Sequence, residues 1–224
     1  MVPWELLDTA RVPGGDGLLR LMRRGTDYVI RLDGTELMSS RTGGSEEALA
    51  RLGCAGLAGT RAPRVLIGGL GMGFTLRAAL ALLGPEAAVT VAELVPAVVA
   101  WGRGPLAAIH AGSLEDPRVL IHEGDVGQLI RNAEPRYDVI LLDVDNGPDG
   151  LTRRGNDALY GAAGLGSAWT ALRPGGALAV WSSAPDDAFT LQLRRSGFAV
   201  AASTVRANGK RGARQVIWVA TRGR

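Results

Sequence analysis

The chain has 224 residues, 46% hydrophobic and 21% charged, with a net charge of +3, a balance that suits a globular protein with a large core. A lone cysteine, Cys54, excludes an internal disulfide and a cysteine-built zinc site, and no metal is expected. No apolar run is long enough to span a bilayer, and the opening MVPWELLDTAR lacks a basic-then-apolar leader pattern. Cytoplasmic residence without membrane contact is the expectation.

The charge is uneven. Residues 151–224 hold eleven Arg/Lys against three Asp/Glu, a basic third that could face nucleic acid or an acidic partner. Lysine is almost absent while arginine abounds, which points to codon composition rather than phosphate contacts. A nucleic-acid partner is therefore not expected.

In chain order, residues 1–44 read as short strands with turns, among them Asp33-Gly34 between two strand-like runs, a hairpin signal. This N-terminal β-hairpin region suits a lid or a dimerisation module, and a homodimer is expected. Residues 45–224 read as a second unit. Ser45 reads as a helix cap, with Glu46 and Glu47 in the first turn, where the helix dipole favours acids.

The stretch from Arg64 to Glu93 organises the rest. Val65-Leu66-Ile67 is the apolar run of a strand buried on both faces. The turn Gly68-Gly69-Leu70-Gly71-Met72-Gly73 leads into a helix over 74–83, and a second strand over 88–92 delivers Glu93. Glycines there permit positive φ and close approach of a ligand to the main chain. An acid about 20 residues further on, at the next strand's end, suits a ribose-hydroxyl acceptor. A nucleotide site in a doubly wound sheet is the reading.

Further along, Pro96 opens a helix to about Ile109, and Val119–His122 is a third strand ending at Glu123-Gly124-Asp125. Tyr137–Leu142 is the clearest strand, ending in Asp143-Val144-Asp145-Asn146-Gly147-Pro148. A helix from about Asp157 to Leu172 stops at Arg173-Pro174-Gly175-Gly176, and a fifth strand spans Ala177–Trp181. After a helix over Pro185–Arg195, strands Phe198–Arg206 and Gln215–Thr221 are joined by a hairpin-type connection. Successive β-α units closed by such a hairpin predict a Rossmann-like class I methyltransferase fold. Its seven-stranded sheet is mostly parallel with an antiparallel last strand, and its ligand lies across the strands' carboxyl ends.

The strand ends IGGLGMG (67–73), AEL (92–94), EGDV (123–126) and DVDNGP (143–148), followed by LRPGGALAV (172–180), together resemble the spermidine synthase family. That resemblance implies a transferase acting on a small amine, with S-adenosylmethionine or its decarboxylated form as co-substrate. It implies donor contacts from Gly69, Gly71, Met72, Gly73 and Leu94. Glu93 would hold the ribose hydroxyls, Asp125 the adenine amino group, and the Val126 amide would lie near the ring nitrogen. Asp143 would be the catalytic carboxylate, with Asp145 and Tyr160 beside it.

Three departures stand out. The family's glycine turn carries an aspartate for the donor's amino group where this chain has Gly71. Its Tyr-His-Glu-type stretch is replaced by Gly43-Gly44-Ser45-Glu46-Glu47-Ala48, and its second loop aspartate falls on Asn146. Loss of the turn acid tips the sequence reading slightly toward methyl transfer, while the whole-chain resemblance favours aminopropyl transfer. An RNA-directed or non-catalytic adenosyl-ligand binder is the third alternative.

Overall fold

The structure, a computed structural model, describes residues 2–144, 159–208 and 211–224. Near its start, strands β1 (Glu5–Arg11), β2 (Leu18–Arg24), β3 (Asp27–Leu32) and β4 (Thr35–Ser39) pair in that order as an antiparallel sheet. Asp33 and Gly34 both take positive φ (47° and 97°), as the two-residue turn of a tight hairpin requires.

The second sheet is built from β5 (Arg64–Gly68), β6 (Ala88–Glu93), β7 (Val119–Glu123), β8 (Tyr137–Leu142), β9 (Leu172–Ser182), β10 (Ala199–Asn208) and β11 (Arg211–Thr221). Its order is β10-β11-β9-β8-β5-β6-β7. Strands β5 to β9 pair in parallel, and β11 runs antiparallel to both β9 and β10. The fold expectation is met, with four strands rather than a single hairpin at the front.

Helices α1 (Gly44–Gly53), α2 (Phe74–Leu82), α3 (Pro96–Arg103), α4 (Ala107–His110), α5 (Val126–Arg131), α6 (Ala162–Ala171) and α7 (Asp187–Arg195) accompany the sheet. Strand periodicity of two divides the core. Val65, Ile67, Val139 and Leu141 face one layer with Leu49 and Leu76, whereas Leu66, Ile140 and Leu142 face the other with Leu165, Phe189 and Trp218. Leu19, Leu21 and Ile30 of the first sheet join the former layer, so the two sheets share one apolar core.

Local differences from the sequence reading have local causes. The helix expected over Pro96–Ile109 breaks at Gly104, which leaves helical geometry (φ −107°, ψ −111°) ahead of Pro105. The fifth strand begins at Leu172 rather than Ala177, because Tyr137 pairs with Leu172 before a register shift. Gly43, not Ser45, caps α1; the Ser45 hydroxyl donates to Glu46 Oε2 at 2.5 Å instead. Part of the basic third is engaged structurally. Arg173 pairs with Asp138 at 3.0 Å, and Arg222 donates to the carbonyls of Trp169 and Leu172 beside the end of α6.

Asp186 caps α7, its Oδ1 accepting the Phe189 N–H at 2.8 Å. Asp186→Ala should cost about 1 kcal/mol, read as a lower urea midpoint with an unchanged slope. No helix among the described residues is long and apolar enough to cross a membrane.

Candidate active site

At the end of β5 the chain turns through residues 69–73 into α2. Gly69 has φ 89°, and a Cβ there would sit 2.3 Å from the Asp143 carbonyl oxygen. Only glycine lets the tips of β5 and β8 lie this close. Gly73 (φ 78°) caps α2, and its missing Cβ leaves room for His110 Nδ1, which would otherwise be 2.4 Å away.

Three strand tips bring acids to this turn. Glu93 ends β6; its Oε2 accepts the Leu70 N–H and its Oε1 the Val95 N–H, both at 2.9 Å. Burial pushes its carboxyl above the ordinary range, opposed by the amides of Val95, Leu70, Gly71 and Leu94. An ionised carboxylate has about four acceptor sites, so two remain for a ligand while two hold the turn. Asp125, beyond β7, caps α5 by accepting the Gly127 N–H at 2.8 Å, and Arg131 reaches its other oxygen at 3.4 Å.

Asp143 follows β8 and accepts the Thr75 hydroxyl on Oδ2 at 2.7 Å. Burial pushes its carboxyl up to about 7; the charge on Glu46 adds to the rise, and the Thr75 bond opposes it. Burial also raises Glu46, against the pull of the Ser45 hydroxyl. Two nearby carboxylates oppose each other's ionisation, so each favours holding a proton while the other is charged.

A cavity of about 280 Å³ joins these tips. It brings together Gly69, Gly71, Met72, Glu93, Leu94, Asp125, Val126 and Asp143. Gly73 lies outside it, behind the turn against His110. Tyr160 is also elsewhere: it is 3% exposed in the second core layer, edge-on to Phe189 with ring centroids 5.7 Å apart. Tyr160 is not among the described residues that line the cavity. Asp145 lies outside the described residues.

The first sheet roofs the cavity with Leu19, Leu32, Leu37 and Met38. Sequence reasoning missed Glu46, which lines the cavity from α1, and Thr75, which holds Asp143. The signal available for Glu46 was its position: it stands in the stretch that replaces the family's Tyr-His-Glu-type motif. Among the described residues, every titratable side chain lining the cavity is an acid: Glu46, Glu93, Asp125 and Asp143.

This strand order is that of the class I methyltransferase-like fold. Within that class the chain resembles the spermidine synthase family in sequence as well as in fold. It is 33% identical over 123 residues to polyamine aminopropyltransferase 1 of Streptomyces coelicolor, a match covering 54% of this chain and 22% of that protein. It is 32% identical over 145 residues to the polyamine aminopropyltransferase of Mycobacterium tuberculosis, covering 61% of this chain and 27% of that one. The matched stretch thus spans about a quarter of the length of these curated relatives. The crystal structure of spermidine synthase from Thermotoga maritima superposes with a TM-score of 0.77 at 19% identity, covering 97% of this chain and 73% of the other. No family model matches the chain.

Proposed function

We propose that the chain is a polyamine aminopropyltransferase-like enzyme, transferring the aminopropyl group of decarboxylated S-adenosylmethionine to a small amine. The observation that carries this reading is the cavity's lining of four acids with no basic side chain among the described residues. S-adenosylmethionine brings a carboxylate on its tail, and such a lining repels it. The decarboxylated donor is cationic throughout and is attracted. The loss of an acid at Gly71, which tipped the sequence reading toward methyl transfer, is outweighed by Glu46 and Asp143 nearby. The similarity to aminopropyltransferases and to a spermidine synthase supports the same preference.

In this reading Glu93 holds the ribose, Asp125 the adenine, and Asp143 accepts the acceptor amine's proton. A primary amine with pKa about 10 is protonated at pH 7, so a base must free its lone pair. Much of the remaining acceleration comes from holding nitrogen, carbon and sulfur in line. A cytoplasmic homodimer completes the proposal. The Arg173 and Arg222 contacts within the fold weaken the RNA-directed alternative.

The test compares calorimetric binding of S-adenosylmethionine, its decarboxylated form and methylthioadenosine, followed by product mass after incubation with putrescine or spermidine. A gain of one aminopropyl unit is expected; a gain of one methyl group would overturn the reading. Thr75→Val supplies a check on the base. The Thr75 hydroxyl bond lowers the Asp143 carboxyl, so its removal raises that group further. The acidic limb of the kcat/KM profile should then move to higher pH.

A further inference from the structure

Glu46 stands on the first turn of α1, between exposed Glu47 on one side and the fully buried face of Ala48 and Leu49 on the other. Glu46 lines the cavity. One threonine ties the backbone of α1 to the strand tip: Thr75 Oγ1 bonds Asp143 Oδ2 at 2.7 Å and lies 3.4 Å from the Glu46 carbonyl oxygen. A hydroxyl has a single proton, and the shorter contact places that proton on Asp143. Glu46 and Asp143 both line the cavity, and the Glu46 charge acts on Asp143, from two elements far apart in sequence.

We propose that Glu46 is a second catalytic carboxylate, which with Asp143 binds the ammonium of the acceptor amine and takes its proton. This inference rests on the transferase reading above. The reacting nitrogen loses a proton to a carboxylate oxygen of the pair, and its freed electron pair forms the new C–N bond. The C–S bond breaks with its electrons returning to sulfur, leaving a neutral thioether and a secondary ammonium. No oxidant, reductant or metal enters that balance.

The surroundings leave the pair without an internal cation among the described residues. Glu47 adds negative charge from α1 itself. On α2 the only charged side chain is Arg77, which donates to the Ile109 carbonyl at 2.8 Å. Asp138 of β8 and Arg173 of β9 pair with each other at 3.0 Å. Arg206 of β10 donates to the Gly212 carbonyl, and Arg214 of β11 is exposed. Toward the cavity β9 and β11 present neutral Trp181 and Gln215, with Trp181 Nε1 and Gln215 Oε1 buried and unpartnered. Glu93 and Asp125 stand across the cavity. A half-buried acid pair so placed is completed by a cation from outside, and a protonated amine fits. Burial, with the charge on Glu46 adding to it, keeps Asp143 titrating near 7, where a general base works best.

The test uses Glu46→Gln and Glu46→Asp. Carboxyl ¹³C titration follows Asp143, calorimetry measures 1,4-diaminobutane, and methylthioadenosine binding serves as the control for folding. Glu46→Gln should lower the Asp143 midpoint by about one pH unit or more and weaken the diamine at least tenfold, roughly the worth of one charge-assisted hydrogen bond. Methylthioadenosine affinity should not change. Glu46→Asp, which keeps the charge, should hold the midpoint near its wild-type value. A Glu46→Gln protein with an unchanged midpoint and diamine affinity would overturn the proposal. So would equal losses in both variants, which would assign the effect to packing. Wild-type turnover is read separately: a coupled titration with diamine binding but no transfer product would sink the transferase reading and leave the acid pair standing.

Discussion

Asp143→Asn is expected to reduce transfer by about 10²–10⁴-fold, the usual contribution of a positioned general base, while nucleoside binding at Glu93 and Asp125 is retained. The same change should stabilise the fold at alkaline pH. Burial raises the Asp143 carboxyl to about 7 in the folded chain, above its unfolded value, so the folded state holds this proton more tightly. Both states are protonated well below the unfolded value, and the acid then costs nothing. As pH rises toward 7 the unfolded chain ionises first and stability falls; above 7 the full penalty is present. Thermal denaturation of Asp143→Asn should thus give a higher Tm than wild type at pH 8 and an equal one near pH 3. Full turnover by this variant would remove Asp143 as the base. An unchanged Tm at pH 8 would mean that its burial carries no penalty.

The second large effect is expected at Gly69. Its φ of 89° lies in the left-handed region, and an added Cβ would meet the Asp143 carbonyl oxygen at 2.3 Å. That atom belongs to the β8 tip and cannot swing aside like a flexible side chain. Gly69→Ala should cost about 2–4 kcal/mol from strain and displacement, and should weaken methylthioadenosine binding at least tenfold because the turn whose Leu70 amide holds Glu93 is displaced. Gly166→Ala is the matched control: it lies exposed within α6 with nothing within 4 Å of the added carbon, so stability should hold or rise by up to about 1 kcal/mol. Equal losses at the two positions would show that the collision at the strand tip is not the cause.

The contrast between these glycines explains what could be read in the chain. A strand buried on both faces prints as an unbroken apolar run, and a positive-φ turn after it prints as glycine. Val65–Gly73 and Tyr137–Asp143 were therefore legible without any alignment. Glu93 was legible as a strand-end acid, but its bonds to the Leu70 and Val95 amides follow from how tightly the turn folds back, which no spacing encodes. The Glu46–Asp143 pair was illegible because it joins positions nearly a hundred residues apart, and an acid in a helix's first turn already has a local explanation in the dipole. Tyr160 carries no such signal: a tyrosine after an active-site loop looks the same in sequence whether its ring faces a substrate or packs edge-on against a core ring such as Phe189.

The roof that Leu19, Leu32, Leu37 and Met38 make over the cavity bears on how this protein can be cut and handled. An expression clone begun at residue 45 would keep every acid of the site yet strip the greasy ceiling above it. The core layer that holds Leu49 and Leu76 would then lose Leu19, Leu21 and Ile30, which now belong to it. Such a fragment should clump rather than fold into a smaller enzyme, and melting of the intact chain should proceed as one event with both sheets lost together.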